Sequence, residues 1–278
     1  MERKIFISHF KNFDYKLLHE PYFEVCNLQD KEVKTKFTDL IKDDVKESLS
    51  NKNLSELKIL HRSWKLDNFS DMYGIFHYRR FLLMQHPNLF NLERSEFFWH
   101  GHFQIDWKHR KQIARRNIRK ISELDGKLLV PRPRDVSDFN KKNIYDDFLG
   151  AHPELEEVLN RTILVHQSLT KDHKFKESIF DNQKMIHFNI FYGPGSFAKD
   201  LANYIFPTLE LLGLEYKNRF KDENIRWAGY IGERLFSHFV YKTIRENKVE
   251  VSHVPVIYFD SLRGNLLEGL ASRIKAHF

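Results

Sequence analysis

The segment Met72–Leu83, MYGIFHYRRFLL, constrains the fold more than any other stretch of this chain. Its apolar and aromatic run, Tyr73 to Phe76, has the composition of a buried strand, and Asn68, Ser70 and Asp71 supply the turn that starts it. The run ends abruptly in His77, Tyr78, Arg79 and Arg80, so the charged group is expected at the carboxyl end of a strand. In α/β sheets ligands bind at that end, and two adjacent guanidiniums there favour a phosphate-bearing ligand. Taken alone the segment equally fits two ordinary solvated charges.

At 278 residues the chain is long enough for a large core, as one α/β domain or two smaller ones. A net charge of +7 favours an anionic partner: nucleotide, nucleic acid or acidic membrane surface. Cys26 is the single cysteine, which excludes an intrachain disulfide and a cysteine-based zinc site and fits a reducing, cytoplasmic setting. No run reaches the roughly 20 apolar residues of a spanning helix. Neither GxGxxG nor GxxxxGK[ST] occurs, which disfavours Rossmann-type dinucleotide binding and P-loop phosphoryl transfer.

In order, Lys4–Phe10 reads as a first strand and Tyr22–Asn27 as a second. A helix is expected from Asn53, with Leu54, Leu57, Ile59, Leu60 and Trp64 on its apolar face and Ser50 or Asn51 as cap. His100 and His102 lie in an aromatic stretch whose spacing matches no common zinc pattern, and it reads as a partly buried loop without metal. The stretch 108–120, KHRKQIARRNIRK, carries seven Lys and Arg residues, a solvated face or a contact for nucleic acid or anionic lipid. Lys127–Pro131 reads as a strand and Pro153–Leu164 as a helix. Phe188–Phe191 is expected as a short strand, Gly193–Gly195 as a turn, and Ser196 as the cap of an apolar helix ending at Gly213. In Arg226–Phe239, RWAGYIGERLFSHF, a loop with Gly229 and Gly232 is expected to deliver Glu233 and Arg234 at a helix start. There Glu233 answers the helix dipole or serves as a general base. Val251–Phe259 reads as a late strand, and 261–278 as a C-terminal amphipathic helix after a single domain over 1–260.

Four separated segments together resemble one known family. NKNLSELKILHRSWK, 51–65, is similar to a box that ends in tryptophan and lysine; HYRR follows as in that family's CHYRR box, with Phe76 in place of its cysteine. Phe188 to Leu212, with Asn189 and the Phe206-Pro207 step, and RWAGYIGERL match its two remaining boxes. The family comprises bacterial capsule and O-antigen glycosyltransferases long catalogued as a domain of unknown function, often galactofuranosyltransferases. The resemblance implies a GT-A-like α/β fold: a nucleotide-sugar-binding sheet flanked by helices, with a helical acceptor-side region. It further implies a nucleotide-sugar donor, best UDP-galactofuranose, and a glycan or lipid-linked glycan acceptor.

Many GT-A enzymes neutralise the departing diphosphate with a metal held by a DxD motif, and no DxD stands after this strand. Arg79 and Arg80, with His77, are expected to replace the metal, so no cofactor is required and a divalent ion is not favoured. Glu233 is the first candidate base, with Asp71 and Glu56 in reserve. Arg226 and Arg234 are expected to pair with phosphate or with Glu233. Trp64 and Tyr78 are candidates to stack on uracil or sugar, with core packing the stronger reading for Trp64. The expected setting is cytoplasmic, with peripheral contact at the anionic inner membrane face, and no nucleic acid. The competing classes are a basic nucleic-acid-binding protein built on 108–120 and a membrane-docked, non-catalytic scaffold of a polysaccharide assembly.

Overall fold

The structure is a computed structural model that describes residues 1–9, 23–27, 49, 54–84, 96–98, 102–106, 113, 120, 122–216 and 226–260. A central sheet runs through it. Parallel strands β1 (Arg3–His9), β2 (Phe23–Asn27) and β3 (Met72–His77) lie side by side with β1 in the middle. β3 leads by a two-residue turn into β4 (Arg80–Leu82). Strands β5 (Glu96–Phe98) and β6 (His102–Asp106) form an antiparallel pair. β7 (Leu128–Pro131) follows, and β8 (Arg134–Asp135) with β9 (Lys184–Met185) makes a separate two-stranded ribbon. β10 (Phe191–Pro194) inserts antiparallel between β3 and β7. β11 (Val251–Val254) extends the sheet beyond β7, while β12 (Val256–Asp260) bridges β4 and β6.

Alternation of side chains along the strands divides the core between the two sheet faces. Phe6, Tyr73, Ile75, Leu128, Val130 and Phe191 point to the helical side. Their neighbours Ile5, Ile7, Phe76, Leu129 and Tyr192 point to the other. Both faces are covered, which is why β3 reads as a continuous apolar run and is buried at all six positions.

The helices are α1 (Leu57–Lys65), α2 (Ile144–Ala151), α3 (Glu156–Thr170), α4 (Lys174–Phe180), α5 (Gly195–Tyr216) and α6 (Trp227–Arg245). α5 packs against α1, α3 and α6 and supplies the middle of the larger core. Asn143 caps α2 by accepting from the Asp146 N–H at 2.9 Å. Pro153 opens a 3₁₀ turn, Pro153–Leu155, ahead of α3. α3 ends where Lys171 turns left-handed at φ 58°.

Several elements depart from the sequence reading. The strand expected at Phe188–Phe191 begins only at Phe191, because Phe188 has φ 69° and turns the chain. Gly193 and Pro194 belong to β10 rather than to a turn, and α5 starts at Gly195 and runs past Gly213 to Tyr216. A Cβ on Gly193 would sit 2.7 Å from Leu128 Cδ1, so this glycine serves close strand packing. α6 begins at Trp227, so Gly229 and Gly232 are helical and not a loop. Val251–Phe259 is two strands, separated at Pro255, whose missing N–H cannot join a ladder. Of the stretch read as a loop, Glu96–Phe98 and His102–Asp106 are strands paired to each other, while His100 lies outside the described residues. α1 is preceded by Glu56, which makes no side-chain cap; Ser50 and Asn51 lie outside the described residues. Residues 261–278, read as a terminal helix, also lie outside, as does most of 108–120, of which Ile113 is buried and Lys120 pairs with Glu123 at 2.7 Å. No helix among the described residues is long and apolar enough to cross a membrane.

Candidate active site

The tetrad at the end of β3 forms a hairpin. His77 pairs with Arg80 across the turn, so Tyr78 and Arg79 occupy its tip and Arg80 starts the return strand. The Tyr78 N–H donates to the Ser8 carbonyl at 2.9 Å, and Phe259 N–H donates to the Arg79 carbonyl at 2.8 Å, fixing the tip to β1 and β12. The Arg79 N–H donates to His77 Nδ1 at 3.3 Å, which assigns the ring proton to Nε2.

His77 Nε2 faces Glu56 Oε1 at 3.9 Å, and Arg80 Nη1 stands 3.7 Å from the same oxygen. Burial pushes the His77 imidazole down to about 3; Glu56 opposes this, and Arg80, Arg79 and Arg226 add to it. His77 is therefore neutral at physiological pH. Burial alone would raise the Glu56 carboxyl, but the Arg80 guanidinium beside it helps hold it below its ordinary value. Arg79 and Arg226 are exposed, while Arg80 is half-buried beneath aromatic rings. Its guanidinium lies 4.6 Å from the Phe188 ring centroid and 5.8 Å from that of Tyr258.

Phe188 connects the hairpin to α6. Its left-handed backbone, costly for a residue with a Cβ, directs its N–H to Glu233 Oε1 at 2.5 Å. Glu233 Oε2 accepts from Arg234 Nη1 at 2.8 Å. Arg234 in turn stands 3.7 Å from Asp147, which Arg134 holds at 2.8 Å. Charge thus alternates in two groups, Glu56 with Arg80 and Glu233 through Arg234 and Asp147 to Arg134, and Arg80 acts on Glu233 across the space between them. Burial raises the Glu233 carboxyl above its ordinary value, against the pull of Arg234, the Phe188 N–H and Arg80. A partly buried carboxyl poised upward beside fixed cations is suited to taking and releasing a proton.

Glu233 lies in the second turn of α6, not the first, so its role is not to answer the helix dipole. Asn189 is 6% exposed; its Nδ2 donates to the Gly229 carbonyl at 3.2 Å, and its Oδ1 has no partner. Two expected residues are elsewhere. Asp71 is exposed at the start of β3, six residues or roughly 20 Å from the hairpin. There its carboxylate accepts from the Glu2 N–H at 2.8 Å. Trp64 belongs to the α1–α5 seam, where Nε1 donates to Asn203 at 2.8 Å and the ring packs on Phe206. Asp147, Arg134, Phe188 and Tyr258 had no assigned role from sequence; their partners are distant in the chain and leave no local signal. Among the described residues no group of three or more His, Cys, Asp or Glu could hold a metal ion.

Residues 4–245 match a family described as a domain of unknown function (DUF4422). The chain belongs to that family. A solved structure, the WbbM bifunctional glycosyltransferase in its apo form, superposes on this DUF4422 chain with a TM-score of 0.71 at 21% identity. The match covers 94% of this chain and 46% of that one, so the DUF4422 chain spans about half the length of its structural neighbour. The mixed α/β fold, a central sheet flanked by helices, is thus one that this chain shares with part of that glycosyltransferase. No curated protein matches the sequence.

Proposed function

We propose that the chain transfers a hexose from a nucleotide sugar, best UDP-galactofuranose, to a growing capsule or O-antigen glycan. The observation that carries this reading is His77 and Arg80 facing the buried Glu56, with Arg79 and Arg226 acting on His77 and the partly buried Glu233 nearby, in a chain whose fold matches that of a glycosyltransferase. Arg79 and Arg226 offer exposed guanidiniums suited to diphosphate oxygens, and Arg80 adds a fixed cation behind them. Fixed cations stabilise charge on a leaving group without reorganising during reaction. The donor set at the hairpin is cationic, with Glu56 as its nearby carboxylate, which suits an anion better than a divalent ion. Glu233 acts as the base for the acceptor hydroxyl, and Arg234 holds its carboxylate. In this reading Tyr78 stacks on uracil, and Asn189 Oδ1 accepts from a donor hydroxyl. The acceptor is a glycan or lipid-linked glycan, reached at the anionic membrane face.

Thermal unfolding tests the reading. UDP at 100 times its dissociation constant is expected to add about 2.7 kcal/mol of apparent stability, with no shift from an oligonucleotide. Stabilisation by oligonucleotide alone would transfer the case to nucleic-acid binding. Turnover of the donor should persist in excess EDTA; complete loss that Mn²⁺ restores would refute the arginine clamp.

A further inference from the structure

Arg234 also lines a small cleft, with Ser178, Asn182, Lys184, His238 and Tyr241. Three polar atoms of these lining residues, Arg234 Nε, His238 Nδ1 and Tyr241 Oη, are buried without a hydrogen-bond partner. Arg234 is 4% exposed and His238 2%. Buried polar atoms are nearly always paired, so three unpaired ones on a single cleft point to one shared partner.

The chemistry of the three identifies it. Arg234 Nε only donates. His238 Nε2 lies 3.3 Å from Asp172 Oδ2, a carboxylate that takes the ring proton on that side and leaves Nδ1 as an acceptor. The Tyr241 hydroxyl does either. An anion would oppose the Nδ1 lone pair, and a cation would oppose the guanidinium. A neutral molecule that both donates and accepts suits all three, and the cleft has room for about one water and no more.

We propose that an ordered water here accepts from Arg234 Nε and donates to His238 Nδ1, with Tyr241 completing its shell, so that His238 and Tyr241 are positioning residues for Glu233. The line of contacts runs from Asp172 through His238 and the water to Arg234, whose Nη1 holds Glu233 at 2.8 Å. Its meaning for catalysis rests on the role proposed for Glu233. That carboxyl is faced by Arg234 on α6, the Phe188 N–H, Arg80 on β4, Glu56 before α1 and Tyr258 on β12. Of these, Arg234 alone lines the cleft.

A crystal structure of the full chain should contain one solvent peak within hydrogen-bonding distance of Arg234 Nε and His238 Nδ1; a dry cleft or an anion there overturns the proposal. Carboxyl-carbon NMR titration of Glu233 supplies the second readout. Tyr241→Phe is expected to loosen Arg234 and tighten proton binding at Glu233 about threefold, a raised midpoint. Tyr216→Phe, which removes a hydroxyl that donates to Glu157 outside this line, should leave that midpoint in place. An unchanged midpoint in Tyr241→Phe, or an equal shift in both variants, refutes the positioning role. Neither readout needs glycosyl transfer. A wet cleft and a shifted midpoint in a protein inert to every nucleotide sugar would refute the proposed function alone.

Discussion

Two partly buried carboxylates on either side of His238 and Arg234 have opposite fates. Asp172, in the turn between α3 and α4, accepts from Tyr204 and Lys242 at 3.0 Å and from His238 at 3.3 Å. Burial alone would raise it, but those three partners hold it well below the ordinary carboxylate range. Glu233 receives one backbone N–H and one guanidinium, and burial wins. A carboxylate saturated with donors ties helices together; one left short of them is poised to exchange a proton.

The largest test of that contrast is Glu233→Gln, expected to lower transfer by about 10²–10⁴-fold while UDP binding stays near wild type. Transfer at a comparable rate would make Glu233 structural and erase the distinction. Asp172→Asn is expected to cost about 2–3 kcal/mol of unfolding free energy, measured in urea, with activity per folded molecule retained. Gly232→Ala comes next. Its Cβ would collide with Leu57 Cδ1, and overpacking is expected to cost about 1–3 kcal/mol, less the helix-propensity gain of roughly 1 kcal/mol.

The pH dependence of stability separates the two carboxylates by sign. Asp172 contributes stability that is present above its unfolded value, about 3.9, and is lost as pH falls through its lower folded value. Glu233 contributes stability present below its unfolded value, about 4.3, and lost as pH rises through its higher folded value. Melting curves from pH 3 to 8 should therefore lose the alkaline-side decline in Glu233→Gln and the acid-side decline in Asp172→Asn. The same slope in both variants would collapse the comparison. Trp64→Phe marks the low end, with about 1 kcal/mol lost from the Asn203 hydrogen bond and no change in UDP binding.

Much of the sheet was legible in the sequence, because a strand buried on both faces announces itself as an apolar run; β1, β3 and β7 fall within a residue or two of expectation. Glycine misled where it serves packing instead of turning. Gly229 and Gly232 sit inside α6, Gly232 where α1 presses closest, and Gly193 sits inside β10 against Leu128. Phe188 misled in the other direction, since its aromatic ring suggests strand while its backbone is left-handed. Of the candidate site, His77, Arg80 and Glu233 were readable and do gather, as does the reserve Glu56. Asp147 and Arg134 were not, because Arg234 lies 87 residues beyond Asp147 and 100 beyond Arg134 in the chain. Asp71 looked equivalent to Glu56 as a carboxylate near the key strand, yet it stands at that strand's opposite end.

The hairpin at Tyr78-Arg79 carries a consequence for how such a chain can diverge. Two neighbours in sequence have been given separate duties, with Arg79 exposed at the tip and Arg80 half-buried over Phe188 and Tyr258. Side chains alternate along a strand, so one residue gained or lost between His77 and Arg80 would turn the guanidinium, and everything after it in β4, to the opposite face of the sheet. The fold can therefore absorb a change of side chain at Arg79, whatever that does to an anion bound there, but the length of this turn cannot drift at all.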